Sequence, residues 1–145
     1  PHSRRIDEAG IVASCAATRR LIARENAHGI PVDRIFLAGF SQGGAVAYTT
    51  ALTYPEALAG VIALSTYIPS PALLAREASA ANRAIPILAA HGIQDDVVSP
   101  ALGRAARDFL TQHGYAVEWH EYPMPHSLCI EEVRLIGHWL RARLT

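Results

Sequence analysis

The chain has 145 residues, half of them hydrophobic, and its 13 basic side chains balance 13 acidic ones. This length fits one domain that can bury about 68–70% of its unfolded surface in a core. A formal net charge of zero argues against proteins that bind nucleic acid or a membrane surface, because both need a field of one sign. No apolar stretch approaches the roughly 18–20 residues that span a bilayer, which argues against stable membrane insertion.

The cysteines and the first residues indicate the compartment and the completeness of the chain. Cys15 and Cys129 lie far apart, without a CxxC motif or a Cys/His cluster. This pattern favours two free, buried thiols of a cytoplasmic protein over a disulfide framework or a zinc site. The chain begins at Pro1, without a methionine or the apolar segment of a signal peptide, so we expect it to be cut from a longer one.

The first elements alternate between helical and strand patterns. Over residues 7 to about 27, apolar side chains recur at the spacing of an amphipathic helix, which Gly29 and Pro31 then end. The apolar run at residues 34–40 predicts a strand buried on both faces, as in a parallel sheet. A helix is predicted over residues 43–52.

The same alternation continues to the end of the chain. Strands are predicted at residues 60–65, 85–91 and 116–122, and helices at residues 72–81, 100–112 and 131–144. Strand followed by helix, four times over, predicts one α/β domain with a parallel sheet, flanking helices and right-handed crossovers.

A serine stands where this pattern would expose it. Residues 39–43 read Gly-Phe-Ser-Gln-Gly, a G-x-S-x-G motif between a predicted strand and a predicted helix. That context is typical of a nucleophile elbow, a strained turn that lifts the hydroxyl of Ser41 clear of the sheet. We expect a Cβ at either glycine to clash with neighbouring backbone, and the N–H of Gln42 to be an oxyanion donor. The alternative is a serine that only caps the following helix.

A serine nucleophile needs a base, and the topology narrows the choice. Loops that follow parallel strands gather at the edge of the sheet where the elbow lies. Of seven histidines, only His91 and His126 end or follow a predicted strand in this way. Hydrolases with this elbow carry their triad in the chain order serine, acid, histidine, which favours His126. For His91 we expect hydrogen bonds that order the neighbouring loop.

The acid is expected in the loop after the third strand, which offers Asp95 and Asp96. A carboxylate there would accept the second ring N–H of His126, fix its tautomer and stabilise the imidazolium. Spacing does not choose between the two aspartates. For either one, the alternative is a loop aspartate that only makes an Asx turn.

Three segments together carry a resemblance to known proteins: residues 39–44 (GFSQGG), 91–95 (HGIQD) and 122–126 (YPMPH). The chain resembles the phospholipase/carboxylesterase family of α/β-hydrolases, which includes bacterial carboxylesterases and acyl-protein thioesterases. The resemblance runs over essentially the whole chain. Asp96-Val97-Val98 is closer to the bacterial carboxylesterases than to the thioesterases.

The resemblance implies a fold and a set of roles. The fold is the C-terminal part of an α/β-hydrolase. Ser41 would be the nucleophile and His126 the base, with Asp95, rather than Asp96, as the acid and the Gln42 N–H as one oxyanion donor. The acyl group would be lined by four residues: Leu64, Ser65, Thr66 and Tyr67.

The chain also departs from the family pattern. Family members have an earlier half with further strands and a His-Gly-rich loop that supplies the second oxyanion donor. We therefore expect an N-terminally truncated domain in which one edge of the strand at residues 34–40 is unpaired. Loss of one oxyanion donor typically lowers kcat by about 10²–10³.

The leading hypothesis is a cytoplasmic serine carboxylesterase that hydrolyses short-to-medium acyl esters through an acyl-enzyme. Its partner would be a small-molecule ester, without a metal or an organic cofactor. Two alternatives stay open: a catalytically impaired fragment that needs its N-terminal partner, and an acyl-protein thioesterase. An unpaired sheet edge also favours a homodimer.

Overall fold

The computed structural model describes residues 2–144, with side chains described from residue 9 to residue 144. Helices and strands alternate in the predicted order. The helices are α1 (His2–Ala27), α2 (Gln42–Thr53), α3 (Pro71–Glu77), α4 (Pro100–Gln112) and α5 (Ile130–Leu144). The strands are β1 (Phe36–Phe40), β2 (Gly60–Leu64), β3 (Ile87–Gly92) and β4 (Val117–Tyr122).

The four strands form one parallel sheet in the order β1-β2-β3-β4. Side chains of α2 and α4 pack on one face of the sheet, and Trp139 of α5 packs on the other. Helix α1 packs against α2. The predicted parallel α/β sheet with flanking helices is therefore confirmed.

Burial differs between the central strands and the first strand. Strands β2 and β3 are buried at every position, as expected for strands that are covered by helices on both faces. Strand β1 is only partly buried, so the prediction of a strand buried on both faces is wrong for it. The reason is its place at the edge of the sheet, where β2 is its one neighbour within the described residues.

An open groove of about 450 Å³ runs beside β1. It is lined by residues of α1, β1 and α2, including Phe36, Gln42 and Val46. The expectation of an unpaired edge at residues 34–40 therefore agrees with the sheet as described.

Several element boundaries differ from the predictions by a few residues, and two of these differences have a local reason. Strand β1 begins only at Phe36, because residues Val32–Arg34 form a 3-10 turn that the Ile35 N–H closes on the Val32 carbonyl. Helix α3 ends at Glu77, because Ala78 turns to an extended conformation and Ser79 caps a short 3-10 turn.

Two further expectations concern the cysteines and the membrane. Both cysteines are free; Cys15 is buried as predicted, but Cys129 is half-buried, so that prediction is wrong for Cys129. Within residues 2–144, no helix combines the length and the apolar character needed to cross a membrane.

Candidate active site

The three residues predicted to form a triad lie together at the carboxyl edge of the sheet. Ser41 follows β1 directly, Asp95 lies in the loop after β3, and His126 lies in the loop after β4. Because the strands are parallel, their carboxyl ends meet at one edge, as expected from the topology.

Their side chains form a chain of hydrogen bonds. His126 Nε2 lies 3.0 Å from Ser41 Oγ, and His126 Nδ1 lies 2.7 Å from Asp95 Oδ2. Asp95 is buried, whereas Asp96 is exposed. Of the two aspartates that spacing left open, the structure thus brings Asp95 into contact with His126. The arrangement can carry a proton from a hydroxyl to an imidazole whose other nitrogen is held by a carboxylate.

Ser41 has the strained backbone of an elbow. Its φ is 59° and its ψ is −124°, a conformation that costs a non-glycine residue about 1–3 kcal/mol. Ser41 occupies the N-cap position of α2, yet its side chain makes no capping hydrogen bond. The hydroxyl is directed to His126 instead, so the alternative of a purely capping serine does not describe it.

The glycines around Ser41 have different roles. A Cβ on Gly39 would collide with the carbonyl group of Gly43, which confirms the expected clash at the first glycine. A Cβ on Gly43 would meet no described atom within 4 Å, so the expected clash is wrong there. Gly44 is the second tight position, since its Cβ would lie 2.5 Å from Cγ2 of Thr66.

The segment predicted to line the acyl group lies at the end of β2, next to the turn that carries Ser41. Its four residues are buried: Leu64, Ser65, Thr66 and Tyr67. The Thr66 hydroxyl donates a hydrogen bond to the backbone carbonyl of Ser41. This contact supports the turn, and the contact of these residues with an acyl group stays a prediction.

Asp95 combines the two roles that the sequence left as alternatives. Its Oδ1 accepts hydrogen bonds from the backbone N–H groups of Val97 (2.9 Å) and Val98 (2.8 Å), as in an Asx turn. Its Oδ2 accepts from His126. Burial raises the pKa of the Asp95 carboxyl, but the hydrogen bonds from His126, Val98 and Val97 outweigh it and hold the pKa below its usual value. The group is therefore a carboxylate at neutral pH.

The model of the Phospholipase/Carboxylesterase family matches residues 1–144. The chain belongs to this family.

Several individual proteins of known name are similar to this chain. Acyl-protein thioesterase 1 of Neurospora crassa is 44% identical over 149 aligned residues, covering 95% of this chain and 58% of that protein. A probable carboxylesterase of Oryza sativa subsp. japonica is 35% identical, covering 95% of this chain and 52% of that protein. The chain thus spans little more than half the length of these relatives.

A solved structure shows the same fold. The crystal structure of Arabidopsis thaliana SOBER1 superposes with a TM-score of 0.89 at 31% sequence identity. The match covers 95% of this chain and 66% of that one. The α/β-hydrolase fold implied by the sequence motifs is therefore confirmed.

Gly92 lets two loops of this family member approach each other. The N–H groups of Ile93 and Gln94 donate to the carbonyls of Tyr122 and Met124. A Cβ on Gly92 would collide with the Met124 carbonyl. A glycine is therefore needed for the loop of His126 to reach the loop of Asp95. The sequence motifs assign Gly92 no role, although a glycine at the end of a strand is a signal of close backbone approach.

Phe40 is a second residue without an assigned role. Its ring lies against the imidazole of His126, with 4.6 Å between the ring centroids and 38° between the planes. The ring therefore limits how His126 can turn. Phe40 is the first variable residue of the G-x-S-x-G motif, and the pattern leaves that position open.

Gln42 begins α2, as the oxyanion prediction requires. The first N–H groups of a helix have no acceptor within it and carry part of the positive end of the helix dipole.

Within residues 9–144, no group of histidine, cysteine and carboxylate side chains has an arrangement that could hold a metal ion.

Proposed function

We propose that this chain carries the catalytic centre of a serine carboxylesterase that hydrolyses short-to-medium acyl esters. The observation that carries the proposal is the Ser41–His126–Asp95 hydrogen-bond chain on a strained elbow. Membership of the Phospholipase/Carboxylesterase family supports it, as does the name of the rice relative, a probable carboxylesterase.

The first half of the reaction forms an acyl-enzyme. Ser41 Oγ attacks the acyl carbonyl while His126 Nε2 takes the hydroxyl proton. Asp95 holds the Nδ1–H of His126 and stabilises the imidazolium, and the N–H of Gln42 donates to the oxyanion. The tetrahedral intermediate then collapses, and the imidazolium gives its proton to the departing alcohol.

In the second half of the reaction, water hydrolyses the acyl-enzyme. His126 takes a proton from a water molecule, whose oxygen attacks the acyl carbon of the ester formed with Ser41. Collapse of the second intermediate releases the carboxylic acid, and His126 returns the proton to Ser41 Oγ. The three side chains end in their starting protonation states.

The test is the hydrolysis of p-nitrophenyl butyrate by the purified protein and by Ser41→Ala. Removal of the serine of a triad lowers kcat by about 10⁶-fold, so the variant is expected to fall to the assay background. Ser99→Ala is the matched control, because the Ser99 hydroxyl is exposed and caps α4 through the Ala101 N–H. Undiminished hydrolysis by Ser41→Ala would refute the proposal.

An acyl-protein thioesterase is the second candidate, since the Neurospora relative carries that name at 44% identity. The same three side chains would then act on a thioester, and the leaving group would be a cysteine thiol. Rates on an oxyester and a thioester with the same acyl chain separate the two functions. A thioester rate that clearly exceeds the oxyester rate would favour the thioesterase, and a ratio near unity would remove the reason to prefer it.

A further inference from the structure

His91 lies beside the candidate triad and takes no part in the proton transfers described above. Its side chain, at the end of β3, is 1% exposed. Nε2 lies 2.8 Å from the carbonyl oxygen of Val98 and 3.4 Å from Asp95 Oδ2. Asp95 therefore lies between two histidines, with His126 at its other side.

The neighbours of His91 define its tautomer. A carbonyl and a carboxylate oxygen can only accept hydrogen bonds, so the proton of the ring must be on Nε2. Nδ1 faces Gly103 of α4, where a Cβ would collide with it, and it has no hydrogen-bond partner among the described residues. The ring thus offers one N–H, which hydrogen-bonds to the Val98 carbonyl and lies 3.4 Å from Asp95 Oδ2.

Both backbone polar groups of Val98 are hydrogen-bonded in this arrangement. Its N–H donates to Asp95 Oδ1, and its carbonyl accepts from His91. The turn that presents Asp95 is thereby tied to β3, the strand from which it leaves. Without His91, the Val98 carbonyl would lose its hydrogen bond to β3, and the turn would be held less firmly.

We propose that His91 is a positioning residue for Asp95. Its Nε2–H holds the 95–98 turn through the Val98 carbonyl and brings the positive end of the N–H dipole to 3.4 Å from Oδ2, the oxygen that accepts the hydrogen bond from His126. His91 thereby sets both the place and the effective charge of the carboxylate that His126 meets. This inference rests on the proposed serine-hydrolase function.

Few other charged groups lie near Asp95 and His91 among the described residues. From β3 and from the β4–α5 loop, the groups that face Asp95 are His91 and His126. From β4, the ring of Trp119 lies 6.3 Å from that of His91. The charged neighbours of Trp119 are Arg107, with Cζ 5.1 Å from its ring, and Glu121, which accepts from its indole N–H.

The test is the rate at which an alkyl fluorophosphonate labels the protein, measured from pH 5 to pH 9. His91→Leu removes the donor and is expected to lower the plateau rate about 10- to 100-fold through misplacement of the acid. The acid limb should also move to higher pH by about half a unit, because a less neutralised Asp95 favours the protonated form of His126.

Three further variants sharpen the test. His91→Gln keeps an N–H donor and is expected to restore the wild-type acid limb. Gly103→Ala displaces the ring from its Nδ1 side and should shift the limb in the same direction as His91→Leu. His113→Gln is the control, since His113 is exposed and its ring contacts are with Phe109 of α4, at the far end of that helix from the Asp95 turn.

The outcomes separate a positioning role from a merely structural one. A lower plateau with an unmoved acid limb in His91→Leu would overturn the proposal, as would a fully active variant. If His91→Leu does not fold, the Gly103→Ala variant decides. A shifted acid limb in that variant supports the proposal, and an unmoved acid limb overturns it.

A separate readout distinguishes this inference from the proposed function. If the wild-type protein is not labelled, the serine-hydrolase function fails. The titration of His126, followed by NMR of ¹⁵N-labelled histidine, then decides the role of His91. A midpoint at higher pH in His91→Leu supports the proposal, and an unchanged midpoint overturns it.

Discussion

Glu132→Gln is expected to stabilise the protein above pH 7 and to change its stability little at pH 5. Glu132 lies in the first turn of α5 with its side chain fully buried. Neither carboxylate oxygen has a hydrogen-bond partner among the described residues. Burial without a partner disfavours the charged form and raises the pKa of Glu132 to about 7.

The size of the effect follows from linkage. The pKa rises from 4.5 to about 7, which corresponds to about 3 kcal/mol at about 1.4 kcal/mol per unit. Because the unfolded chain ionises first, the free energy of unfolding falls as the pH rises from 4.5 to about 7, and the loss is complete above that. A glutamine does not ionise, so it avoids this loss.

Urea unfolding followed by circular dichroism at pH 5 and pH 8.5 measures the difference. Glu132→Gln should exceed the wild type by up to about 3 kcal/mol at pH 8.5 and by little at pH 5. Glu131→Gln is the matched control, because that neighbour is exposed and its pKa is lowered, first by a backbone hydrogen bond. A Glu132→Gln variant that is less stable than the wild type at pH 8.5 would show that the carboxylate is paired in the folded state and would refute the reasoning.

Two further pairs of variants test the elbow and the base. Gly39→Ala should lower the free energy of unfolding by about 2–3 kcal/mol, because its methyl group meets the Gly43 carbonyl. Gly43→Ala should change it by less than about 0.5 kcal/mol, and equal losses in urea unfolding would contradict this assignment. Phe40→Leu removes the ring beside His126, and kcat/KM on p-nitrophenyl butyrate should fall about 2- to 5-fold as the imidazolium loses a cation–π contact. Phe109→Leu, which removes a similar stack on a histidine at the far end of α4, should leave kcat/KM unchanged, and an unaffected Phe40→Leu would show that the ring contributes nothing.

Two features of the sequence predicted most of the fold: the spacing of apolar residues, which alternates between helical and strand patterns, and the turn residues between them. Helix α4 has its predicted bounds, and Gly114 follows it with a positive φ of 87°. Buried apolar runs predicted β2 and β3 because both faces of those strands are covered. The same kind of run at residues 34–40 overstated the burial of β1, since an apolar run does not show how many neighbours a strand has.

Chain order and strand ends predicted which residues meet, because parallel topology brings strand ends together. They placed Ser41 and His126, but they did not choose between Asp95 and Asp96. That choice depends on which side chain turns inward, and two backbone N–H groups of the same loop decide it. A pattern of residue types does not report the direction of a loop side chain.

The sequence pattern does not predict the burial of Glu132 either. Acidic residues are common in the first turn of a helix, where they face water and the helix dipole. Glu131 follows that rule, whereas Glu132 is turned toward the sheet. Only the packing of α5 on the sheet distinguishes the two neighbours.

Covalent labelling of Ser41 tests the proposed catalytic centre most directly. The purified protein is treated with an alkyl fluorophosphonate, its intact mass is measured, and the modified peptide is sequenced by mass spectrometry. We predict one adduct per chain, carried by Ser41 and absent from Ser41→Ala. A folded protein that gains no adduct, or that gains it on another residue, would contradict a serine nucleophile activated by His126.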